Sequence, residues 1–320
     1  MNYDVVVIGA GPGGYVSAIR AAQLGAKTAI VEKESIGGTC LNVGCIPTKA
    51  LMKNVEIIHG LEVGAQRGIT IDGELKLNYK RAVKAKNSAV RQLVKGVEGL
   101  LASNGVDVYK GMGTVKEGKV VSINSENETK EIGYEKLIIA TGSAPAVPPI
   151  KGSDLEGVMT SNELLALESV PESMVIIGGG VIGCEFATIL SAYGCKVTIV
   201  EMMPTLVSML DNDISEYMEG IMQERGVELK LGKQVEEIKN TEDGMLSVSM
   251  KDDSGVETVK GNNVLISIGR KTNTDGLEVL DLDMVRGRIT VDDKLETSKA
   301  DVFAIGDVTG KKQLAHAAAS

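Results

Sequence analysis

The chain has 320 residues, 43% of them hydrophobic and 24% charged, with a net charge of −9 at pH 7 and a pI of about 5.0. That size accommodates two ordinary domains, and the acidic balance excludes a duplex-binding role, which needs a basic face to replace counterions. No apolar run is long enough to span a bilayer, Asp4 interrupts the N-terminus too early for a signal peptide, and four cysteines are too few for a secreted disulfide scaffold, so a cytoplasmic location is expected.

With no Trp, two Phe and 38 Gly, the core must come from Val, Ile, Leu, Ala and Met, which suits an α/β protein with buried parallel strands. Val5 to Ile8 reads as the first strand, Gly9 to Gly14 as a turn, Tyr15 to Leu24 as a helix ended by Gly25, and Lys27 to Val31 as a strand closing on Glu32. This is a βαβ unit of about 30 residues. Residues 80–103 form an amphipathic helix through Val83, Val90, Val94, Val97 and Leu101. Its Lys80, Arg81, Lys84, Lys86, Arg91 and Lys95 are read as a solvated face. Residues 106–136 read as short antiparallel strands, and Leu137 to Ala140 as a further buried strand before Thr141-Gly142. Pro145, Pro148 and Pro149 mark a linker.

After Pro171 the opening pattern repeats. Met174 to Ile177 is a strand, Gly178 to Gly183 the turn, a helix runs to Tyr193, and Lys196 to Val200 is a strand ending at Glu201. Residues 228–268 supply more strands, and Val302 to Ile305 is a buried strand that stops at Gly306-Asp307. The fold class expected is therefore α/β, with two Rossmann-like FAD/NAD(P)-binding domains (three-layer ββα) and a small antiparallel meander in each.

Each glycine turn lies between a strand and a helix, where its residues have physical work to do. The first Gly (Gly9, Gly178) permits the tight turn, the second (Gly11, Gly180) lets backbone approach a pyrophosphate, and the third (Gly14, Gly183) lets helix and strand pack closely. The helix N-terminus then offers N–H donors and positive potential to phosphate. Eighteen residues after Gly14 comes Glu32, and eighteen after Gly183 comes Glu201. A carboxylate there accepts hydrogen bonds from ribose hydroxyls and repels a 2′-phosphate, so Glu201, followed by Met202 and Met203 and no Arg, favours NAD over NADP. Two plain glycine turns with surface acids would not meet every one of these requirements twice.

The run Gly37-Gly38-Thr39-Cys40-Leu41-Asn42-Val43-Gly44-Cys45-Ile46-Pro47-Thr48-Lys49 carries the second signal. Zinc would want further ligands, and the nearest His is His59, alone. A structural disulfide is disfavoured in a reducing compartment. A redox pair remains, with two inert buried thiols as the alternative. In a regular helix, side chains five apart diverge by about 140°, so closing Cys40 on Cys45 needs irregular backbone between them. Pro47 fits the first turn of a following helix, which would put Cys45 near a helix N-terminus, where its thiolate is favoured and Lys49 adds charge. Cys184 and Cys195 read as small buried residues.

Together with Ala140-Thr141-Gly142, Gly178 to Glu185, Ile268-Gly269-Arg270 and Ala304-Ile305-Gly306-Asp307, this run resembles the pyridine nucleotide–disulfide oxidoreductases over the whole chain. The resemblance implies FAD in the first site and NAD in the second. For FAD it implies Gly9, Gly11, Pro12, Gly13 and Gly14, Glu32 with Lys33 at the ribose, Gly38, Thr39 and Lys49, Gly113, Thr141 to Ser143 (with Gly142 between), Asp307 on the ribityl chain, and Leu314-Ala315-His316. For NAD it implies Gly178, Gly180, Val181, Ile182, Gly183, Glu185, Glu201, Val235 and Gly269. Cys40 would be the interchange thiol, Cys45 the thiolate against the flavin, and Lys49 would pair with Glu185, which helps gate the nicotinamide site. No metal is implied.

The implied reaction is oxidation of protein-bound dihydrolipoyl groups, with NAD as acceptor through FAD and the Cys40–Cys45 disulfide. The implied partners are the lipoyl domain of a 2-oxo acid dehydrogenase or glycine-cleavage complex, and a second copy in a homodimer. The expected domains are 1–146 with 270–320 for FAD and 147–269 for NAD. Family members continue into a C-terminal interface domain that carries a catalytic His. This sequence stops at Ser320 and is read as lacking that domain, with little lipoamide activity expected. Mercuric or glutathione reductase-like activity, or a FAD/NAD-binding module without turnover, are the rival readings. A small thioredoxin reductase is rejected, because its C-x-x-C pair lies in the NADPH domain.

Overall fold

The strand Asn2–Ile8 ends in three consecutive buried residues, Val6, Val7 and Ile8, as expected where both faces of a sheet are covered. The computed structural model describes residues 1–70 and 72–320. The chain divides into two units, one of Met1–Ile46, Val90–Ala144 and Arg270–Ser320, the other of Pro47–Ala89 and Pro145–Gly269.

In the first unit, Asn2–Ile8 pairs in parallel with Thr28–Glu32 on one side and with Thr129–Ile139 on the other. Asp107–Lys110 extends the sheet in parallel beyond Thr28–Glu32. The eleven-residue strand Thr129–Ile139 changes partner along its length. Its first half pairs antiparallel with Val120–Asn124, which pairs with Met112–Lys116. Its last three residues pair in parallel with Val302–Ala304. Two sequence expectations change here. Asp107–Lys110 is parallel rather than part of the meander, because Gly111 (φ +151°) breaks the chain before Met112. Residues 129–139 form one strand rather than two. The meander side of the sheet buries Tyr3, Val6, Ile123, Leu137 and Val302, and the helix side buries Val7, Ala18, Ile30, Leu41 and Leu101.

The second unit repeats the plan. Five parallel strands run in the order Glu228–Lys230, Lys196–Val200, Ser173–Ile177, Asn263–Ile266, Val158–Met159. The antiparallel meander is Gln234–Asn240, Leu246–Asp252 and Gly255–Gly261. Ile238, Val248 and Met250 cover one face, while Phe186, Ile189 and Met222 cover the other. The expected fold class, two Rossmann-like domains each with a meander, is the one observed.

Residues 47–89, expected with the first domain, pack in the second unit. Leu51, Val55, Tyr79 and Val83, from the helices Cys45–Gly64 and Tyr79–Ser103, join Leu164, Met174 and Phe186 in its helix-side core. One lysine of the expected solvated face departs from it. Lys86 is 5% exposed, and its ammonium donates to the Leu165 carbonyl at the end of the helix Ser161–Ala166. A cation there meets the negative end of the helix dipole. Among the described residues, no helix is long and apolar enough to cross a membrane.

Candidate active site

The two glycine turns are built alike. Gly9 (φ +100°) lies so close to Ala140 that a Cβ would sit 2.3 Å from its carbonyl oxygen. Gly178 (φ +110°) meets Ser267 in the same way at 2.6 Å. A Cβ on Gly14 would fall 1.8 Å from the Gly9 oxygen, and one on Gly183 2.0 Å from the Gly178 oxygen. The middle glycines differ from these. A Cβ on Gly11 or Gly180 would meet nothing within 4 Å. The helices that follow, Pro12–Gln23 and Val181–Ala192, start without a side-chain cap, so their first N–H groups face that open space.

Glu32 and Glu201 complete the match. Glu32 accepts the Ala10 N–H (2.7 Å) and the Glu34 N–H (2.8 Å), and Glu201 accepts the Gly179 N–H (2.6 Å) and the Met203 N–H (2.7 Å). Each carboxylate therefore braces its turn and still has lone pairs for ribose hydroxyls. The duplication extends further. The Ala10 carbonyl accepts from Gly37 N–H, and the Gly179 carbonyl from Val207 N–H, both at 2.8 Å and both from residues with positive φ (Gly37 +93°, Val207 +41°). A left-handed β-branched residue such as Val207 is unusual and held here by burial.

The redox run folds as a short helix, Gly38–Asn42, a break at Val43-Gly44, and a long helix from Cys45. The break is the irregular backbone that the five-residue spacing requires. Leu41 anchors the short helix in the helix-side core, and Cys40, Tyr15 and Ile46 pack against the same cluster. A Cβ on Gly44 would lie 2.8 Å from the Thr39 oxygen and 3.3 Å from the Cys40 Cα, so the chain folds back directly onto Cys40. Cys40 is half-buried, and Cys45, the first residue of its helix, is exposed. Gly38 rests on the first glycine turn: its Cβ would be 2.6 Å from Gly11 Cα. In the second unit, Lys49 is ion-paired with Glu185 of the helix Val181–Ala192.

A cleft in the first unit gathers Gly9, Glu32, Lys33, Gly113 and Thr141. It also gathers Gly111, Met112, Asn273 and Asp275, which the sequence reading missed. Asn273 holds its rim, donating to the Thr141 carbonyl (3.0 Å) while its own carbonyl accepts from the Thr141 hydroxyl (2.5 Å). Beyond it, Ser143 Oγ donates to Asp307 Oδ2 at 2.6 Å, and the half-buried Arg270 donates through Nε to Ser143 Oγ at 2.7 Å. Leu314, Ala315 and His316 lead into the short helix Ala315–Ala319, whose Ala318 carbonyl lies 2.9 Å from where a Gly13 Cβ would be. His316 itself is exposed.

Among the second-site residues, Val235 packs in the meander-side core, and the Gly269 carbonyl (φ +130°) accepts the Ala146 N–H. Cys184 and Cys195 are buried, and burial pushes both thiols up to about 12. Among the described residues, no three metal-ligating side chains come together.

Two dinucleotide turns and a folded-back cysteine pair define a dinucleotide-dependent oxidoreductase acting on sulfur. Residues 3–320 match the pyridine nucleotide-disulphide oxidoreductase family, and the chain belongs to it. It is 43% identical to a dihydrolipoyl dehydrogenase of Acholeplasma laidlawii, over 99% of this chain and 93% of that one. It is 38% identical to the dihydrolipoyl dehydrogenase of Bacillus subtilis (strain 168), over 99% of this chain and 69% of that one. Among solved structures, the HOCl-induced flavoprotein disulfide reductase RclA from Escherichia coli aligns with a TM-score of 0.86 at 31% identity, covering 99% of this chain and 68% of that one. The family's activity is disulfide oxidoreduction, and its cofactors are FAD and NAD(H). The open space over Gly11 and Gly180, the uncapped helix starts and the braced carboxylates all fit a dinucleotide.

Proposed function

We propose that the chain oxidises protein-bound dihydrolipoyl groups to lipoyl groups, with NAD⁺ as the acceptor. The observation that carries this reading is the contact of Gly38 with Gly11, which sets the helix bearing Cys40 on the first dinucleotide turn. The names of its relatives favour the lipoyl substrate over other disulfides. FAD belongs in the first site, with Glu32 at its ribose and Asp307 and Ser143 further along. NAD belongs in the second, with Glu201 at its ribose and the Lys49–Glu185 pair on the nicotinamide side. When bound, FAD supplies a two-electron relay between the sulfur pair and NAD⁺.

A dihydrolipoyl thiolate attacks Cys40 of the Cys40–Cys45 disulfide, and Cys45 leaves as a thiolate, which its place at a helix N-terminus favours. The second lipoyl thiol displaces Cys40, closing the lipoyl disulfide and leaving two electrons on the enzyme's dithiol. Glu201 repels a 2′-phosphate. Lys233, whose N–H bonds the Glu201 carbonyl, offers no cation in its place, because its ammonium is held by Asp252. The partners of this activity are a lipoyl domain of a 2-oxo acid dehydrogenase or glycine-cleavage complex and a second copy of the chain, in the cytoplasm.

Anaerobic mixing of the FAD-loaded chain with dihydrolipoamide and NAD⁺ tests the reading. Flavin reduction and NADH formation, both lost in Cys40→Ser, are expected. No response to dihydrolipoamide, together with NADH oxidation by glutathione disulfide or Hg(II), would replace it with another disulfide reductase.

A further inference from the structure

Two lysines bracket Glu201 at the edge of the second unit's parallel sheet. The Glu201 N–H donates to the Lys230 carbonyl, and the Lys233 N–H donates to the Glu201 carbonyl, both at 2.9 Å. Either arm could bring a cation to a phosphate beside the Glu201 carboxylate, but both ammoniums are already engaged. Lys230 Nζ lies 2.5 Å from Glu257 Oε1 and 3.1 Å from Glu228 Oε1. Lys233 Nζ lies 2.6 Å from Asp252 Oδ2 and 3.4 Å from Glu257 Oε2. Glu257 thus gives one carboxylate oxygen to each lysine. The two lysine side chains are only 22% and 17% exposed. Asp252 and Glu257 belong to the meander: Asp252 ends the strand that pairs with Gln234–Asn240, and Glu257 lies opposite Met250 on the third strand. Hydrogen bonds from the lysines hold both carboxyls below their ordinary range, so both are ionised at neutral pH. Three carboxylates therefore face two ammoniums, and the cluster carries one negative charge in excess.

We propose that Asp252 and Glu257 are specificity-determining residues for the nicotinamide dinucleotide: they bind Lys233 and Lys230 and so keep both ammoniums from the 2′-phosphate of NADP. A phosphate at Glu201 would have to draw each lysine off carboxylates already in contact with it, against the cluster's excess negative charge. Selection of NAD is then shared between the acid at the ribose and two acids of the meander, some fifty residues further along the chain. Freed of its acids, a lysine is a mobile point charge on a four-carbon stem, able to meet a phosphate without a fixed geometry. The inference rests on the reading that NAD lies in the second site with its ribose at Glu201, and not on which disulfide is the substrate.

The test is fluorescence titration of the FAD-loaded chain with NADPH and with NADH, read as the ratio of the two dissociation constants. In the double variant Asp252→Asn with Glu257→Gln, that ratio is expected to fall about tenfold, the lower end of what a hydrogen bond to a charged group contributes. Adding Lys230→Met and Lys233→Met removes both cations and is expected to abolish the gain. Asp252→Asn alone leaves Glu257 on both lysines, and its ratio is expected to fall only about threefold, as for an exposed charge pair. An unchanged ratio in the folded double variant overturns the proposal, and so does a gain that survives removal of both lysines. Should the double variant fail to fold, an unchanged ratio in Asp252→Asn overturns it alone. The underlying placement of the ribose fails separately, if Glu201→Ala binds NADH as tightly as the parent does.

Discussion

Gly38 lies on Gly11 so closely that a single added carbon would come within 2.6 Å of the Gly11 Cα and 3.1 Å of its nitrogen. The redox loop and the first dinucleotide turn are thus in backbone contact, with no side chain to absorb a change. Gly38 also has φ +56°, which adds backbone strain for any other residue. Gly38→Ala is expected to destabilise the protein by about 1–3 kcal/mol and to lower FAD content, read by thermal denaturation and by flavin absorbance per chain. Equal stability and full flavin would mean that the loop is not seated on the turn.

The two turns are near-copies, and substitutions in them should separate the two cofactors. Gly14→Ala drives a Cβ into the Gly9 oxygen, and Gly183→Ala drives one into the Gly178 oxygen. The first is expected to weaken FAD and spare NADH, and the second to do the reverse. Each loss should be at least tenfold in Kd, about 1.4 kcal/mol. Flavin retention and NADH titration by fluorescence check both, and loss of FAD in Gly183→Ala would contradict the assignment of the sites.

Thiol chemistry gives a counting experiment. Burial raises Cys184 and Cys195 to about 12, and a thiol is inert to alkylation well below its pKa. In the reduced native protein at about pH 8, only Cys40 and Cys45 should react, whereas all four cysteines should react in denaturant. Rapid labelling of Cys184 in the native state would show that the second glycine turn opens.

Acid stability has a local source at the base of the first sheet. Hydrogen bonds and charge from Lys136 and Lys119 hold Asp301 down at about 2. Its folded value lies below the unfolded one of about 3.9. Its contribution is therefore present above that unfolded value and lost as pH falls toward 2. Asp301 has φ +66°, which Asn tolerates, so Asp301→Asn changes the charge and keeps the backbone. The variant should melt below the parent at neutral pH, and the gap should close near pH 2. A constant gap across that range would show that the ion pairs contribute nothing.

What could be read in advance was what lies close along the chain. The glycine turns and their acids follow from strand–turn–helix chemistry within one βαβ unit, and the Val43-Gly44 break follows from a five-residue cysteine spacing. Arg270, Ser143 and Asp307 could not be joined in the same way, because 127 residues separate the first two and no local period marks them. The pairing of Ser143–Pro145 with Arg270–Thr272 brings the first two together, and the strand Val302–Ala304, paired with Thr129–Ile139, delivers Asp307. Asn273 on the cleft rim was missed for the same reason. Lys86 looked like its neighbours on a basic helix face, and its burial depends on where the helix Ser161–Ala166 ends. The packing of residues 47–89 with the second unit likewise rests on long-range contacts of Leu51 and Val55 that amphipathic spacing does not specify.

The central claim, that electrons from NADH reach Cys40 and Cys45 through bound FAD, is tested most directly by anaerobic titration of the FAD-loaded, oxidised chain with NADH, followed by alkylation and peptide mapping. The account predicts that flavin absorbance falls and that Cys40 and Cys45 become alkylatable together, and only after NADH is added. Flavin that NADH reduces without exposing either thiol would contradict it.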